Sequence, residues 1–527
     1  MPNDRQIGNS PMKKGQANRQ APSRLHLCIL IASFILGCGD VAVAKLSLVE
    51  LVNEAMLGNT SILLQKEARS SSYAGLLDAR AAFDPVVELG GGYSDNAYPT
   101  MAGPDQKTFQ SSLSLSQQLP IGITITPAFS VQQTRSELTS GNSVSNVAKS
   151  GVTLGIPLFA GLGTSNPSAT NRQAAEANYR AADLRYRFVL ATGIYQTASA
   201  YWNYVYAYRL LKLNQELTRS ADAQLNATKA LSDADEIASQ MVKQAQAYLD
   251  NTRASEVFAS LQLRQAWDTL MLTVGAEAKN HQMLEEPSDR FPLPGPGFLH
   301  SLPAAEQLTS YAVAHRTDLE SSRQQTQATE QLLKGARNRM QPDIRLNLWA
   351  GYNGWGSGNG FSGYASSLTD HLPGPSISAT VTYTLPIGNR KNQAQYLQRL
   401  SDNLTAKVNQ QDLERRVESA TALSIASVRN AASVYELNRK SAEAYRTLKE
   451  GELKKFRMGM SNIFNLQTSS NNLASAELQL LAAEKSFAQA VLDLRYASAT
   501  LVESQGDTVE IKAADLTTLP AQGGSAR

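Results

Sequence analysis

Imidazole and thiol chemistry have little to work with in this chain of 527 residues, which holds five histidines and two cysteines. His26, His281, His300, His315 and His371 share no HExxH pattern and no paired-ligand spacing. No serine sits in a Gly-x-Ser-x-Gly elbow, so the sequence offers no hydrolase nucleophile of that kind. Glu414 and Glu418 lie one helical turn apart and read as helix surface, not as an acid–base pair. The glycine-rich run GYNGWGSGNGFSGYASS, residues 351 to 367, lacks the Gly-Lys-Ser/Thr ending of a phosphate loop. With Trp355, Phe361 and Tyr364 it reads as a flexible connection at a membrane rim, where aromatic side chains settle. No catalytic, cofactor-binding or metal-ligating residue is assigned. The chain reads as a non-enzyme whose function resides in shape.

The elements that would make such a shape are long helices. Leu473, Ala476, Leu480, Ala483, Phe487, Ala490, Leu494, Ala497 and Leu501 recur at alternating three- and four-residue steps, a heptad seam for helix–helix packing. Leu184, Phe188, Ala191, Tyr195, Ala198, Trp202 and Val205 keep the same spacing in the first half. Helices are expected over about 167 to 228, 392 to 457 and 463 to 503. Sixty residues at 1.5 Å each make a rod of about 90 Å. Between the last two helices, Met458, Gly459, Met460, Ser461 and Asn462 supply a reversal: glycine takes the left-handed conformation that ends one helix, and Ser461 or Asn462 caps the next. The corresponding stretch of the first half, with Ser232, Asp233 and Asp235, has no glycine and predicts its reversal less sharply.

Strand regions precede the long helices. Ile377, Ala379, Val381, Tyr383, Leu385 and Ile387 alternate with a mostly hydroxyl-bearing set, and Ile344, Leu346, Leu348, Ala350 and Tyr352 alternate similarly. Val87 to Tyr93 makes a weaker strand and Val152 to Leu158 a better one. Ten-residue segments of this period suit a barrel wall between lipid and water, or a soluble sheet with one wet face. No stretch after residue 44 approaches the roughly 20 apolar residues of a spanning helix, so membrane insertion there would use strands. A shift of 257 positions aligns Leu51, Ala55, Thr60, Leu76, Ala79, Arg80, Pro85 and Leu89 with Leu308, Ala312, Thr317, Leu333, Ala336, Arg337, Pro342 and Leu346, which reads as a duplication. A pair of strands over 113–119 and 121–131 has no counterpart in the second half; it extends the sheet or lies on its outer surface.

The organisation expected is a signal peptide over 1–44, a first repeat over 45–279, a proline-rich linker over 280–303, a second repeat over 304–505 and a tail over 506–527. The signal has scattered basic residues, the apolar run Leu27 to Leu36 and a small-residue cleavage site Ala42-Val43-Ala44; translation starts at Met1 or Met12. Both cysteines fall inside it, which leaves the remainder without a thiol. A competing reading makes Ile35-Leu36-Gly37-Cys38 a lipidation box with Cys38 as acceptor, although Leu36 is bulky for it. Residues 1 to 44 hold five basic and two acidic residues, so the rest carries 44 of each and a net charge of zero. That balance gives no pointer to nucleic acid.

Four stretches together resemble the TolC family of outer-membrane efflux proteins: LSLVELVNEAMLGNTSILLQKEA, GIPLFAGLGTSNPSATNRQAAEANYRAA, TLPIGNRKNQAQYL and FRMGMSNIFNLQTSSNNLASAELQLLAAEKSFAQAVLDL. The resemblance implies an α+β membrane protein, with duplicated antiparallel coiled-coil hairpins and transmembrane β-strands that assemble as a trimeric α-barrel/β-barrel tube. It implies the outer membrane of a Gram-negative bacterium with a long periplasmic extension, and a passive exit duct for efflux or type I secretion. The implied partners are two further copies of the chain, outer-membrane lipid, a periplasmic adaptor docking at Met458 to Asn462, and an inner-membrane pump of RND, ABC or MFS type, with no nucleic acid and no cofactor. Family members that close their periplasmic end with aspartate rings carry acids at the positions of Asn465 and Thr468, so an acidic aperture is in doubt here. Asp233, Asp235 and Glu236 at the other tip could supply charge instead, or are solvated helix-end charge. The alternative is a non-conducting periplasmic coiled-coil scaffold or adaptor, which would not need the alternating strands.

Overall fold

The duplication read from the sequence is a duplication of elements. In the computed structural model, residues 46–97, 105–138, 141–275, 286–295, 298, 302, 304–369, 374–502, 504–505, 508–509 and 512–520 are described. Helices α1 (Leu48–Gly58) and α2 (Thr60–Ala81) lead into strand β1 (Val86–Asn96). The offset found in the sequence carries these starts onto α5 (Ala305–His315), α6 (Thr317–Asn338) and β5 (Asp343–Ser357). Ser47 starts α1 by accepting the Glu50 N–H, and Asn59 starts α2 by accepting those of Ser61 and Ile62.

Beyond β1 the offset shrinks. Strands β2 (Asp105–Gln118), β3 (Thr124–Leu138) and β4 (Gly141–Pro157) precede α3 (Pro167–Asp233), whereas β5 is followed by α7 (Gly360–Thr369), β6 (Pro375–Thr384) and α8 (Arg390–Arg457). The start of α3 therefore maps onto that of α8 at a smaller separation than the one relating β1 to β5. The difference equals the span from 105 to 138, which holds β2, its turn and β3, and which the first half has gained. These six strands form one antiparallel meander, β1-β2-β3-β4-β5-β6, so the unmatched pair lies in the sheet between β1 and β4; a separate short hairpin pairs 504–505 with 508–509. The glycine-rich run is not a flexible connection: 351–357 continues β5, and α7 folds back on it, with Ser366 and Ser367 beside Gly356. Ladder hydrogen bonds to β4 hold the first part of that run, because its glycines let the two backbones meet closely.

Helices α3 and α4 (Ser239–Val274) form one long hairpin, α8 and α9 (Ile463–Ala497) the other. At 67 residues α3 is about 100 Å long. Its middle packs on α9 in antiparallel sense: Thr192 meets the Tyr496 hydroxyl at 2.9 Å, Tyr195 donates to Asp493 at 2.8 Å and Ser199 to Gln489 at 2.9 Å, while Arg209 pairs with Glu484. Because α8 is also antiparallel to α9, α3 and α8 run parallel and both hairpin tips lie at the end remote from the sheet. Counted from the Tyr195–Asp493 contact, the tips are about 60 Å and about 50 Å away, close to level.

The core sits where α1, α3, α4 and α9 cross. Trp202, Tyr201 and Tyr204 of α3 are fully buried there with Trp267 and Leu270 of α4, Val52 of α1 and Leu492 of α9. The segment 286–295 crosses this core in extended form: Phe291 packs at a tilt against Trp202 with ring centres 5.6 Å apart, and Asp289 accepts from the Leu48 N–H and the Tyr201 hydroxyl, each at 2.8 Å. A second cluster, with Phe487, Val491 and Leu494 against Ile425 and Val428, joins α9 to α8. Helix α9 ends at Ala497, not near Glu503 as the seam suggests, because Ala499 turns left-handed at φ 58° and the Thr500 N–H folds back to the Arg495 carbonyl. Arg495, almost wholly buried, then ties the following chain down through the Thr500, Thr518 and Leu519 carbonyls and Asp515 of α10 (Ala513–Thr517).

Both hairpins reverse by the same device. At the second tip Gly459 has φ 72°, its N–H reaches the Phe456 carbonyl and the Met460 N–H reaches that of Lys455; Asn462 then caps α9 by accepting the Asn465 N–H at 2.9 Å. At the first tip Asp235 has φ 58°, its N–H reaches Ser232 and the Glu236 N–H reaches Leu231. The missing glycine therefore does not prevent the turn, since aspartate is among the residues that tolerate this conformation. Ala238 at the start of α4 offers no side-chain cap. A Cβ on Gly459 would meet nothing within 4 Å, so Gly459→Ala is strained only through its backbone, by about 1 kcal/mol. Amide hydrogen exchange around 456–466 is expected to quicken about five-fold in that variant, and Asp235→Gly to slow exchange around 231–241 by two- to five-fold.

Burial raises the Tyr195 hydroxyl well above the usual phenol range, reinforced by the Asp493 carboxylate, and burial followed by Asp289 does the same to Tyr201. Their neutral forms belong to the fold, so the stability they contribute is intact below about pH 10 and is lost at higher pH, where only the unfolded phenols ionise. Thermal unfolding is expected to move to lower temperature as pH rises past about 10. Tyr195→Phe should lower stability at neutral pH by about 1–2 kcal/mol, because Asp493 loses a donor, and should make the alkaline loss shallower.

Candidate functional site

The strands end in turns that aim the helices. At the base of β4, Asn166 is buried, caps α3 by accepting the Ala169 N–H at 2.9 Å and donates to the carbonyls of Pro120 and Gly163 at 2.7 and 2.6 Å. Asn338, at the end of α6, accepts the Gly161 N–H at 2.7 Å. One asparagine thus holds the β2–β3 turn to the start of α3, and the other holds the second half to the same junction. At the second junction Asn389 has φ 43° beside Gly388 at φ 85°, and α8 begins one residue later. The sequence stretches GIPLFAGLGTSNPSATN and TLPIGNRKN are these two turns.

Register separates the sheet into two faces. On one, Leu89 lies opposite Leu113, Leu113 opposite Phe129, Pro127 opposite Val152, Val152 opposite Ala350 and Ala350 opposite Ile377. This face is largely bare in the single chain: Leu89 is 82% and Ile377 79% exposed. On the other, Ser112 meets Ser130, Ser94 meets Thr108, Gly155 meets Asn347 and Asn347 meets Thr380. Apart from Ala128, Val147 and the charged Glu88, Lys149 and Arg345, that face over the middle of the sheet is hydroxyl, amide, indole and glycine. A recess of about 760 Å³ lies against its helical end, lined by residues including Gln118, Thr124, Thr153, Arg339, Arg345 and Thr384. No described helix is long and apolar enough to cross a membrane, and the described residues contain no group of three or more metal-ligating side chains.

The tip residues named from sequence lie together at the α8–α9 turn. Met458 and Met460 are exposed beside Phe464, three apolar side chains in water at the end of a helical rod. Ser461 bonds the Glu452 carboxylate and closes the turn from within. Asn465 and Thr468 are exposed on the first turns of α9; the Asn465 amide reaches Ser461 at 3.4 Å, and the Thr468 hydroxyl bonds back to the Phe464 carbonyl at 2.9 Å. At the other tip Asp233 and Asp235 are exposed and Ser232 is half-buried. Cys38 lies outside the described residues.

Sequence reasoning missed the residues that lock the middle of the molecule. Arg316, between α5 and α6, forms a two-pronged ion pair with Asp318 at 3.0 and 2.7 Å and lies over the rings of Phe188 and Tyr496. A lone arginine in an Arg-Thr-Asp run carries no pattern that marks it. Arg495 is equally silent, reading as one more polar position on a long helix.

The sequence matches the family described as outer membrane efflux protein over residues 122–276. No curated protein is a detectable sequence match. The fold is shared with a membrane protein from Pseudomonas aeruginosa (TM-score 0.64, 16% identity, 86% of this chain and 93% of that one). The CmeC outer membrane channel of Campylobacter jejuni is similar (0.64, 16%, 86% and 85%), as is the outer membrane protein VceC of Vibrio cholerae (0.63, 13%, 86% and 95%). The family match thus covers residues 122–276, and the fold is shared with these membrane proteins over 86% of the chain.

Proposed function

We propose that the protein is an outer-membrane exit duct of a tripartite efflux or type I secretion system, passively conducting cargo that an inner-membrane transporter delivers through a periplasmic adaptor. The observation that carries this reading is a sheet with an apolar and a hydroxyl-lined face, continuous with two parallel helical hairpins that end level with each other. Such a sheet can face lipid on one side and water on the other. Helices of about 100 Å are then long enough to carry a passage well away from the membrane.

A single chain does not close a tube. Val257, Phe258 and Leu261 project from α4, and Leu404, Val408 and Leu437 from α8, as exposed apolar positions with helical spacing. Unpartnered stripes of this kind mark surfaces that associate. A homotrimer, as the resemblance implies, covers them with neighbouring copies and joins three sheets into one wall. The exposed Met458, Met460 and Phe464 at the second tip offer an adaptor a small apolar knob, and Asp233 and Asp235 at the first tip offer it charge. With Asn465 and Thr468 in place of acids, an aperture at this level would be lined by neutral groups. The hydroxyl wall binds no particular cargo, which leaves the choice between small molecules and polypeptides to the transporter. A periplasmic scaffold would leave the exposed apolar sheet face without a use.

Purified in mild detergent and placed in a planar bilayer, the protein is expected to have the mass of a trimer and to pass current in discrete steps. A monomer or dimer that never conducts, even after the tip is loosened by substitution at Gly459, would contradict the reading. Leu89→Arg or Val381→Arg on the apolar face should cost about 2–4 kcal/mol of membrane stability each and deplete trimer from outer membranes. Thr380→Arg on the opposite face should leave assembly intact and shift the reversal potential in a salt gradient towards anion preference.

A further inference from the structure

The meander has two open edges. Strand β1 pairs only with β2 and strand β6 only with β5 among the described residues, so one side of each carries backbone N–H and C=O groups with no partner in the ladder. Both edges are exposed along their length, and they match: 11 residues in β1 and 10 in β6. β1 runs away from the helical end and β6 returns to it, so β6 of one copy set beside β1 of the next continues the antiparallel order. The faces agree as well. Odd-numbered residues of both strands are on the apolar face, Val87, Leu89 and Tyr93 on one and Ile377, Val381 and Tyr383 on the other. Any register that pairs odd with odd keeps one side apolar and the other hydroxyl-lined around the join.

Resting on the trimeric reading above, we infer that β1 of each copy pairs with β6 of a second copy, and that the wall so closed has eighteen strands because the β2–β3 hairpin is part of it. The duplicated plan alone gives two strands per half, four per chain and twelve in a trimer. The span 105–138, gained between β1 and β4, adds two more per chain, and it does so inside the hydrogen-bonded order, not beside it: β2 is paired along β1, and β3 along β4 from Thr124 to Leu138. The insert obeys the same two-faced rule. Phe109, Leu113, Leu115 and Phe129 continue the apolar face, while Ser112, Ser114, Thr126 and Ser130 continue the hydroxyl face. An appendage packed on the outside would not need both. Strands spaced about 4.8 Å and tilted about 40° close at a backbone diameter of about 36 Å for eighteen, against about 24 Å for twelve. The insert therefore more than doubles the cross-section of the wall and fits this duct to bulkier cargo than the four-stranded plan would pass. Asn166 couples the widening to the helices, since it donates to the Pro120 carbonyl in the β2–β3 turn while capping α3.

The test is a cryo-electron microscopy map of the full chain in detergent or nanodiscs, read for strand number, alongside disulfide trapping across the edge. Eighteen strands with a β1–β6 contact between copies is the expected result. A trimer with twelve strands and 105–138 outside the wall overturns the inference and leaves the duct reading standing; a particle that is not a trimer overturns both. For trapping, Gly92→Cys on β1, where an added side chain meets nothing within 4 Å, is combined with Ser376→Cys, Ser378→Cys or Thr380→Cys on β6. The unsubstituted chain, whose own cysteines are Cys28 and Cys38, is the background. At least one combination should give covalent species of two and three chain masses on oxidation. A disulfide confined within one chain, or none in any combination, contradicts the pairing.

Discussion

A backbone amide left unpaired in hydrocarbon costs several kilocalories per mole, and a sheet that meets lipid cannot keep an open edge. This constraint organises the molecule. In the six-stranded meander the outer sides of β1 and β6 have no ladder partner among the described residues, so on the proposed reading the requirement passes from the chain to neighbouring copies. The strand alternation then assigns the two environments: the side with Leu89, Phe129 and Ile377 suits lipid, and the side with Ser112, Ser130 and Thr380 suits water. In the proposed duct, nothing on the polar face needs to recognise a particular solute.

The helical half answers a different constraint. A helix of 67 residues has little stability of its own in water and depends on tertiary packing. Here it is held midway by the crossing of α3 with α9, where the stacked rings of Tyr195 and Tyr496, the Asp493 and Gln489 hydrogen bonds and the Arg316–Asp318 pair gather. The same crossing fixes the direction of both hairpins. Because α3 opposes α9 and α9 opposes α8, the tips share one end, and the junction asparagines Asn166 and Asn338 set where those rods start relative to the sheet.

Much of this was legible in the sequence, for reasons that are physical. The internal repeat survives because α1, α2 and β1 must make the same turns as α5, α6 and β5. Gly459 was legible because glycine is the common residue for a left-handed helix end. Asp235 adopts the same geometry without the usual residue, so its turn carried a weaker signal. The heptad seam runs on through Leu501 and hid the end of α9, which is set by Ala499 and by Arg495 holding the chain that follows. The glycine-rich run looked like a connection because periodicity says nothing about close backbone approach; in the fold those glycines admit β4 against β5. The β2–β3 pair was visible as strands, but its place in the sheet order required the register. Arg316 and Arg495 act through contacts made between distant segments, and no local pattern announces them.

Everything proposed for the duct depends on the two faces of the sheet seeing lipid and water. Single cysteines placed in turn from Ile377 to Thr384 on β6, treated in intact outer membranes with a membrane-impermeant maleimide, would report it. Labelling is predicted at the even positions, Ser378, Thr380, Thr382 and Thr384, with protection at Ile377, Ala379, Val381 and Tyr383. Equal labelling of both sets, or labelling of the odd set alone, would contradict the assignment of the faces.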